Sequence, residues 1–175
     1  MKKGLFILIS ILALSCNSDE TNLTDKTAIN LVTGVNFRQN FDDLPLQLGN
    51  PNVLVNDRFL IYPNPANETF YIVAQENVTD VWIVPANPEK IYQDEDFSIV
   101  LNTNSYTEQS IDPNSDVSLS GLSSGNISMD ITTLEKGYYK VFVKIGGEIY
   151  WDNLYKYENG GNNEEQIAAI LNFWD

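Results

Sequence analysis

Strict two-residue alternation, broken at intervals by turn residues, is the feature that most limits what this chain can fold into. Ile127-Ser128-Met129-Asp130-Ile131 alternates at every step, which puts the odd positions on one face of a strand. Tyr139-Lys140-Val141-Phe142-Val143-Lys144 runs into Gly146-Gly147, a two-residue hairpin signal, and Glu148 to Tyr155 returns with Ile149 and Trp151. Arg58-Phe59-Leu60-Ile61-Tyr62, Thr69-Phe70-Tyr71-Ile72-Val73 and Val78 to Val84 read as further strands, the last with Val81 and Ile83 opposite Trp82. Pro63 and Pro65 push Tyr62 and Asn64 out of the helical region, so the chain leaves that strand through a turn. Ile29, Leu31, Val32 and Val35 predict one or two short strands, followed by turns rich in Asn, Asp, Pro and Gly through Asn52. Strands at this spacing predict a mostly β protein, an antiparallel immunoglobulin-like β-sandwich over about residues 30–157.

Two helices fit the pattern. Asp94 to Leu101 places Phe97, Val100 and Leu101 on one face, although a strand fits it nearly as well. Near the end, Asn162 and Glu165 form a capping pair, and Ile167, Ile170, Leu171 and Trp174 then recur at helical spacing. That predicts a helix over about 163–174, docked on the sandwich. A helix lying on a membrane wants Lys or Arg on its polar face, whereas this one carries Glu164 and Glu165.

The first residues read as a leader. Lys2 and Lys3 precede an uncharged run from Gly4 to Leu14. At ~1.5 Å per residue that run reaches about half the hydrocarbon thickness, too short to span but suited to an export signal. Ser15 and Cys16 follow at once, and Cys16 is the single cysteine of the chain. The organisation expected is a signal peptide at 1–15, a flexible tether at 16–28 and one domain over 29–175.

Composition closes off several chemistries. With no His, the Ser-His-Asp and Cys-His nucleophile arrangements and His-ligated metals are excluded. With one Cys there is no internal disulfide and no cysteine-cluster metal site. The formal charge of −14 repels phosphate backbones, so nucleic acid is not an expected partner. Gly146-Gly147 and Gly160-Gly161 fall at a hairpin and a helix approach, not in a phosphate loop.

Leu12-Ala13-Leu14-Ser15-Cys16 resembles a bacterial lipobox, which implies lipidation of Cys16 and a lipid anchor in the membrane. Asn17-Ser18-Asp19-Glu20 resembles the acidic export signal that sends Bacteroidetes lipoproteins to the outer leaflet of the outer membrane. Ile61-Tyr62-Pro63-Asn64-Pro65-Ala66, together with Ile127 to Lys144, resembles the C-terminal sorting domain of the type IX secretion system, which implies a seven-stranded sandwich over residues 59–157. That domain normally ends its protein, whereas residues 158–175 follow it here, so the sandwich reads as the protein's own body. The combination of lipobox, turns and terminal helix also resembles small Bacteroidetes surface lipoproteins.

Few residues are candidates for a site. Asp112, Asn114 and Asp116 offer oxygen ligands at alternate positions, as a calcium loop does, but Val117 stands where such a loop needs glycine. The other reading is an Asx-rich turn. Trp82, Trp151 and Tyr150 either form a face that stacks on sugars or serve as core and cross-strand partners. No spacing pairs two acids as a glycosidase needs. The function expected is non-enzymatic: a surface interaction module for a protein or glycan. An accessory component or enzyme subunit of a glycan-handling system is the alternative.

Overall fold

The computed structural model describes residues 29–51, 58–90, 106–158, 160 and 163–175. Its strands are β1 (Leu31–Val32), β2 (Gly34–Phe37), β3 (Leu46–Gly49), β4 (Phe59–Tyr62), β5 (Thr69–Pro88), β6 (Val117–Leu119), β7 (Ser124–Asp130), β8 (Gly137–Ile145) and β9 (Glu148–Lys156). Helices α1 (Glu108–Ile111) and α2 (Asn163–Trp174) and a 3₁₀ turn at Asp112–Asn114 accompany them. The fold is mostly β, in two sheets, with the expected C-terminal helix. The Asp94–Leu101 segment, Cys16 with its neighbours, and the capping residue Asn162 lie outside the described residues.

The segments 69–73 and 78–84, which read as two strands, are one. β5 runs without interruption for 20 residues and organises the main sheet. Its first half pairs with β4 on one edge and β7 on the other, Ile72 facing both Ile61 and Ile127. Its second half pairs with β8, and on its other edge with β6 and then β1. The strand changes sides between these halves. Phe70, Ile72 and Val78 point into the central core at even positions, whereas beyond the bulge Val81 and Ile83 do so at odd ones. The register irregularity between Val78 and Asp80 supplies the switch, because one extra residue inverts every later side chain. The two halves thereby form two layers around one cluster that includes Phe59, Ile61, Met129, Val141, Val143 and Leu154. The alternation read in β7 holds, with Met129 buried and Ser128 and Asp130 exposed.

β8 and β9 form the expected hairpin. Ile145 pairs with Glu148 across Gly146 and Gly147, whose φ values of +60° and +91° are those a tight two-residue turn requires. The layer they build is buried on both faces. Trp82, Val84, Phe142 and Trp151 point away from the central core and are covered by Tyr106 and Ile111. Further along the same face, Val35, Phe37, Leu48, Tyr155, Ile170 and Trp174 make a third cluster, which joins the β2–β3 sheet to α2. Helix α2 therefore docks as its stripe predicts, with Ile170 and Trp174 buried. Trp174 lies so close to Gly49 that a Cβ there would meet its ring at 2.5 Å. β1 departs from the antiparallel plan, since Leu31 and Val32 pair in parallel with Asn87 and Pro88.

The proline turn has a structural task. Both Tyr62-Pro63 and Asn64-Pro65 are cis, and Asn64 between them is fully buried. Its amide nitrogen donates to the carbonyls of Asn36 at 2.7 Å and Asn153 at 2.8 Å, and its Oδ1 accepts from the Tyr155 N–H at 3.0 Å. One side chain thus joins β2 to β9. No helix among the described residues is long and apolar enough to cross a membrane.

Candidate functional site

The residues singled out from sequence are spread over the molecule. Trp82 and Trp151 do share a face, but it is the covered one, and they are 3% and 4% exposed. Their place as a sugar-stacking surface is therefore corrected: the 106–114 segment lies over them, and the indole N–H of Trp82 donates to Asp112. Tyr150 is on the opposite face of β9, packed against the central core, with its hydroxyl donating to Glu148 at 2.6 Å. Asp112 and Asn114 are occupied within their own turn. The Asp112 carboxylate accepts from Trp82 on β5, its backbone carbonyl accepts from the Ser115 amide, and Asn114 donates to the Ser110 carbonyl at 2.8 Å. Asp116 leads into β6, its amide bonded to the Ile83 carbonyl at 2.9 Å. Among the described residues no three His, Cys, Asp or Glu side chains are grouped to hold a metal.

The surface that stands out instead is the connection between β2 and β3. Polar, turn-rich sequence makes residues 38–45 a loop, and Asp43 fixes its shape. One carboxylate oxygen of Asp43 accepts from the Asn40 amide at 2.7 Å, the Gln39 amide at 3.1 Å and the Asn40 side chain at 3.2 Å. These bonds, the Asn40 amide first, hold the Asp43 carboxyl below its usual range. Held in this way, the loop turns large apolar side chains outward, with Leu44 93% exposed, Leu46 55% and Phe41 47%. Leu44 and Leu46 border a cleft of about 360 Å³ together with Phe37, Arg38, Gln39 and Asp43.

The loop continues into an aromatic row on the outer face of the first layer. Phe41 meets Tyr62 edge-on at 6.2 Å, and Tyr62 stacks on its cross-strand partner Tyr71 at 5.3 Å. The stack uses one face of each tyrosine ring, and Tyr71 stays 42% exposed. Leucine methyls stand beside the exposed ring, and such a mixture of aliphatic and aromatic surface suits a protein partner better than a sugar ring. Sequence reasoning passed over this site, since an Asn- and Asp-rich stretch reads as a turn regardless of what its apolar members do. The signal that was present is Phe41 alone among turn residues, and Leu44, Leu46 and Leu48 at two-residue spacing leading into β3.

A second concavity, of about 380 Å³, lies at the far end of β5 and β8 and is lined by Asn30, Asn87, Asp116, Glu135 and Tyr139 among others. It brings together two carboxylates that no sequence spacing connected. Burial, and then the charges of Asp116 and Glu135, push the Tyr139 phenol up, while its hydroxyl donates to the Glu135 carbonyl.

No protein-family model matches this chain, and no curated protein or solved structure matches it either.

Proposed function

We propose that this chain is a non-enzymatic, lipid-anchored protein of the cell envelope whose folded domain presents the 38–46 loop to a protein partner. The observation that carries this reading is the Asp43-held loop with Phe41 and Leu44 turned to solvent. Exposed apolar side chains on a pre-shaped loop lose little entropy on binding, which is the economy a recognition loop needs. The leader and Cys16 supply the anchor, as the lipobox resemblance implies, and Asn17-Ser18-Asp19-Glu20 support an outward-facing place on the outer membrane. The packing of α2 into the third cluster supports reading the sandwich as the protein's own body and not as a detachable sorting signal.

The test is capture of the tagged full-length protein from its own membranes, compared with the Phe41→Ala/Leu44→Asp double variant. The variant should lose the captured partner while melting at the wild-type temperature, because both side chains are exposed. An unchanged partner set would overturn the loop as the site. Labelling with a palmitate analogue tests the anchor independently: the wild type should be tagged and Cys16→Ala should not.

The cleft holding Asp116 and Glu135 favours one second reading, an accessory role in glycan handling. Binding or cleavage of surface glycans that Asp116→Asn and Glu135→Gln abolish, with the loop variant unaffected, would select it over the first.

A further inference from the structure

The covered face of the β8–β9 layer contains a lysine with no counter-ion among the described residues. Lys140 lies on the same side of β8 as Phe142 and is 2% exposed. Its Nζ is 4.4 Å from the centre of the Trp151 ring and 5.2 Å from that of Tyr106, and it donates to the Tyr106 hydroxyl at 3.3 Å. Its cross-strand neighbours are Val84 on β5 and Asn153 on β9, both uncharged. The carboxylates on this face among the described residues are engaged elsewhere. Glu108 of α1 meets Lys144 at 2.5 Å, Asp80 of β5 lies 4.0 Å from the same lysine, and Asp112 accepts from Trp82. Tyr138, the next residue on this side of β8, has its phenol pushed up to about 12, chiefly by burial, and burial raises that of Tyr106 further.

Among the described residues, those that cover Lys140 from outside the sheet belong to one short segment. Tyr106 leads into the capped turn at Thr107, and α1 and the 3₁₀ turn follow, with Ile111 as their buried apolar anchor. The cover is held by Ile111, by the Trp82 indole bond to Asp112 and by the Glu108–Lys144 pair, and a charge formed beneath it works against that docking. We propose that segment 106–114 is a pH-responsive cover, seated on the sheet while Lys140 is neutral and loosened when Lys140 takes up a proton. Burial pulls the Lys140 amine down to about 7, whereas with the cover lifted the amine meets water and returns toward its ordinary value of 10.5. The lifted state binds the proton more tightly, so lowering the pH favours it. The cation–π contacts with Trp151 and Tyr106 offset part of the cost of burying the charge.

Hydrogen exchange followed by NMR on the full chain, corrected for intrinsic rates, measures the lifting at the Trp82 indole N–H, which donates to Asp112 of the cover. The opening constant should rise about tenfold from pH 8 to pH 6 and level off below. Amides of β8 and β9 should not follow. Lys140→Met, which keeps length without charge, should abolish the rise. A wild type with no pH response, a variant with the same response, or an equal response throughout β8 and β9 each overturns the proposal. If Lys140→Met does not fold, the titration of the wild-type Lys140 amine by NMR decides. A midpoint near 7 supports the cover, and one near 10 overturns it.

Discussion

Asn64 shows how much a single polar side chain does in this fold. It completes two carbonyls and one amide that belong to different strands, all away from water. Asn64→Ala leaves those three groups without that partner, and each buried unsatisfied group costs about 1–3 kcal/mol. The variant should lose at least about 3 kcal/mol in urea unfolding, and a shift below about 1 kcal/mol would show that the backbone re-pairs without it. Asp152 gives a prediction in pH. It is 6% exposed, and burial lifts its carboxyl to about 6, against a lowering by the Asn153 amide and by Arg38. A raised folded-state value means that the folded protein holds the proton where the unfolded chain has released it. Stability from this group is therefore complete below about pH 4 and is lost as pH rises through 6, a fall on the order of 3 kcal/mol. Lys140 is protonated in both states up to about pH 6, so below that pH it does not mask the slope. Asp152→Asn should flatten the stability profile between pH 4 and pH 6; a variant with the wild-type slope would assign it to another group.

Among the elements, α2 and β5 mark the two extremes of what the sequence disclosed. The α2 stripe was legible because four apolar residues at helical spacing point to one face; the face found is centred on Ile170 and Trp174, with Ile167 and Leu171 half-buried at its edge and Gln166 buried beside them. Trp174 adds a hydrogen bond from its indole N–H to the Tyr138 hydroxyl at 2.9 Å. Truncating a buried Ile or Trp to Ala costs about 2–5 kcal/mol. Ile170→Ala combined with Trp174→Ala should therefore lower the melting temperature by at least about 10 °C. Equal melting of wild type and double variant would mean that α2 is not part of the folded unit. β5 was misjudged because Gln75-Glu76-Asn77 looks like a turn between two strands. Those residues are all exposed, yet they stay extended within the strand, and the bulge beyond Val78 then inverts it. Alternation alone also hid Lys140. A lysine at an even position reads as solvent-facing, and it is buried because a segment some 30 residues earlier covers that face.

At the scale of the whole molecule, fold class followed from alternation and turns, whereas the candidate site did not. Local period records which way a side chain points, but not whether anything stands on that side. Trp82 and Trp151 needed a cover to become core, and Phe41 and Leu44 needed a rigid loop to become surface. Neither condition is written in the spacing of the residues themselves. The continuous β5 has a consequence for how the molecule comes apart. A sandwich of two independent sheets can lose one and keep the other. Here one backbone supplies paired strands to both layers, and breaking either layer frees half of that strand and opens the shared cluster. Populated half-folded species should therefore be absent, and unfolding of the sandwich should be all-or-none. Calorimetric and van't Hoff enthalpies should agree, with tryptophan fluorescence and far-ultraviolet dichroism tracing one coincident curve. Two resolved transitions would mean that the layers part company at β5. The cost of that cooperativity is assembly time. β5 must meet partners as early as Leu31 and as late as Ile145, so pairing across long stretches of chain precedes any stable layer, which makes for slow folding.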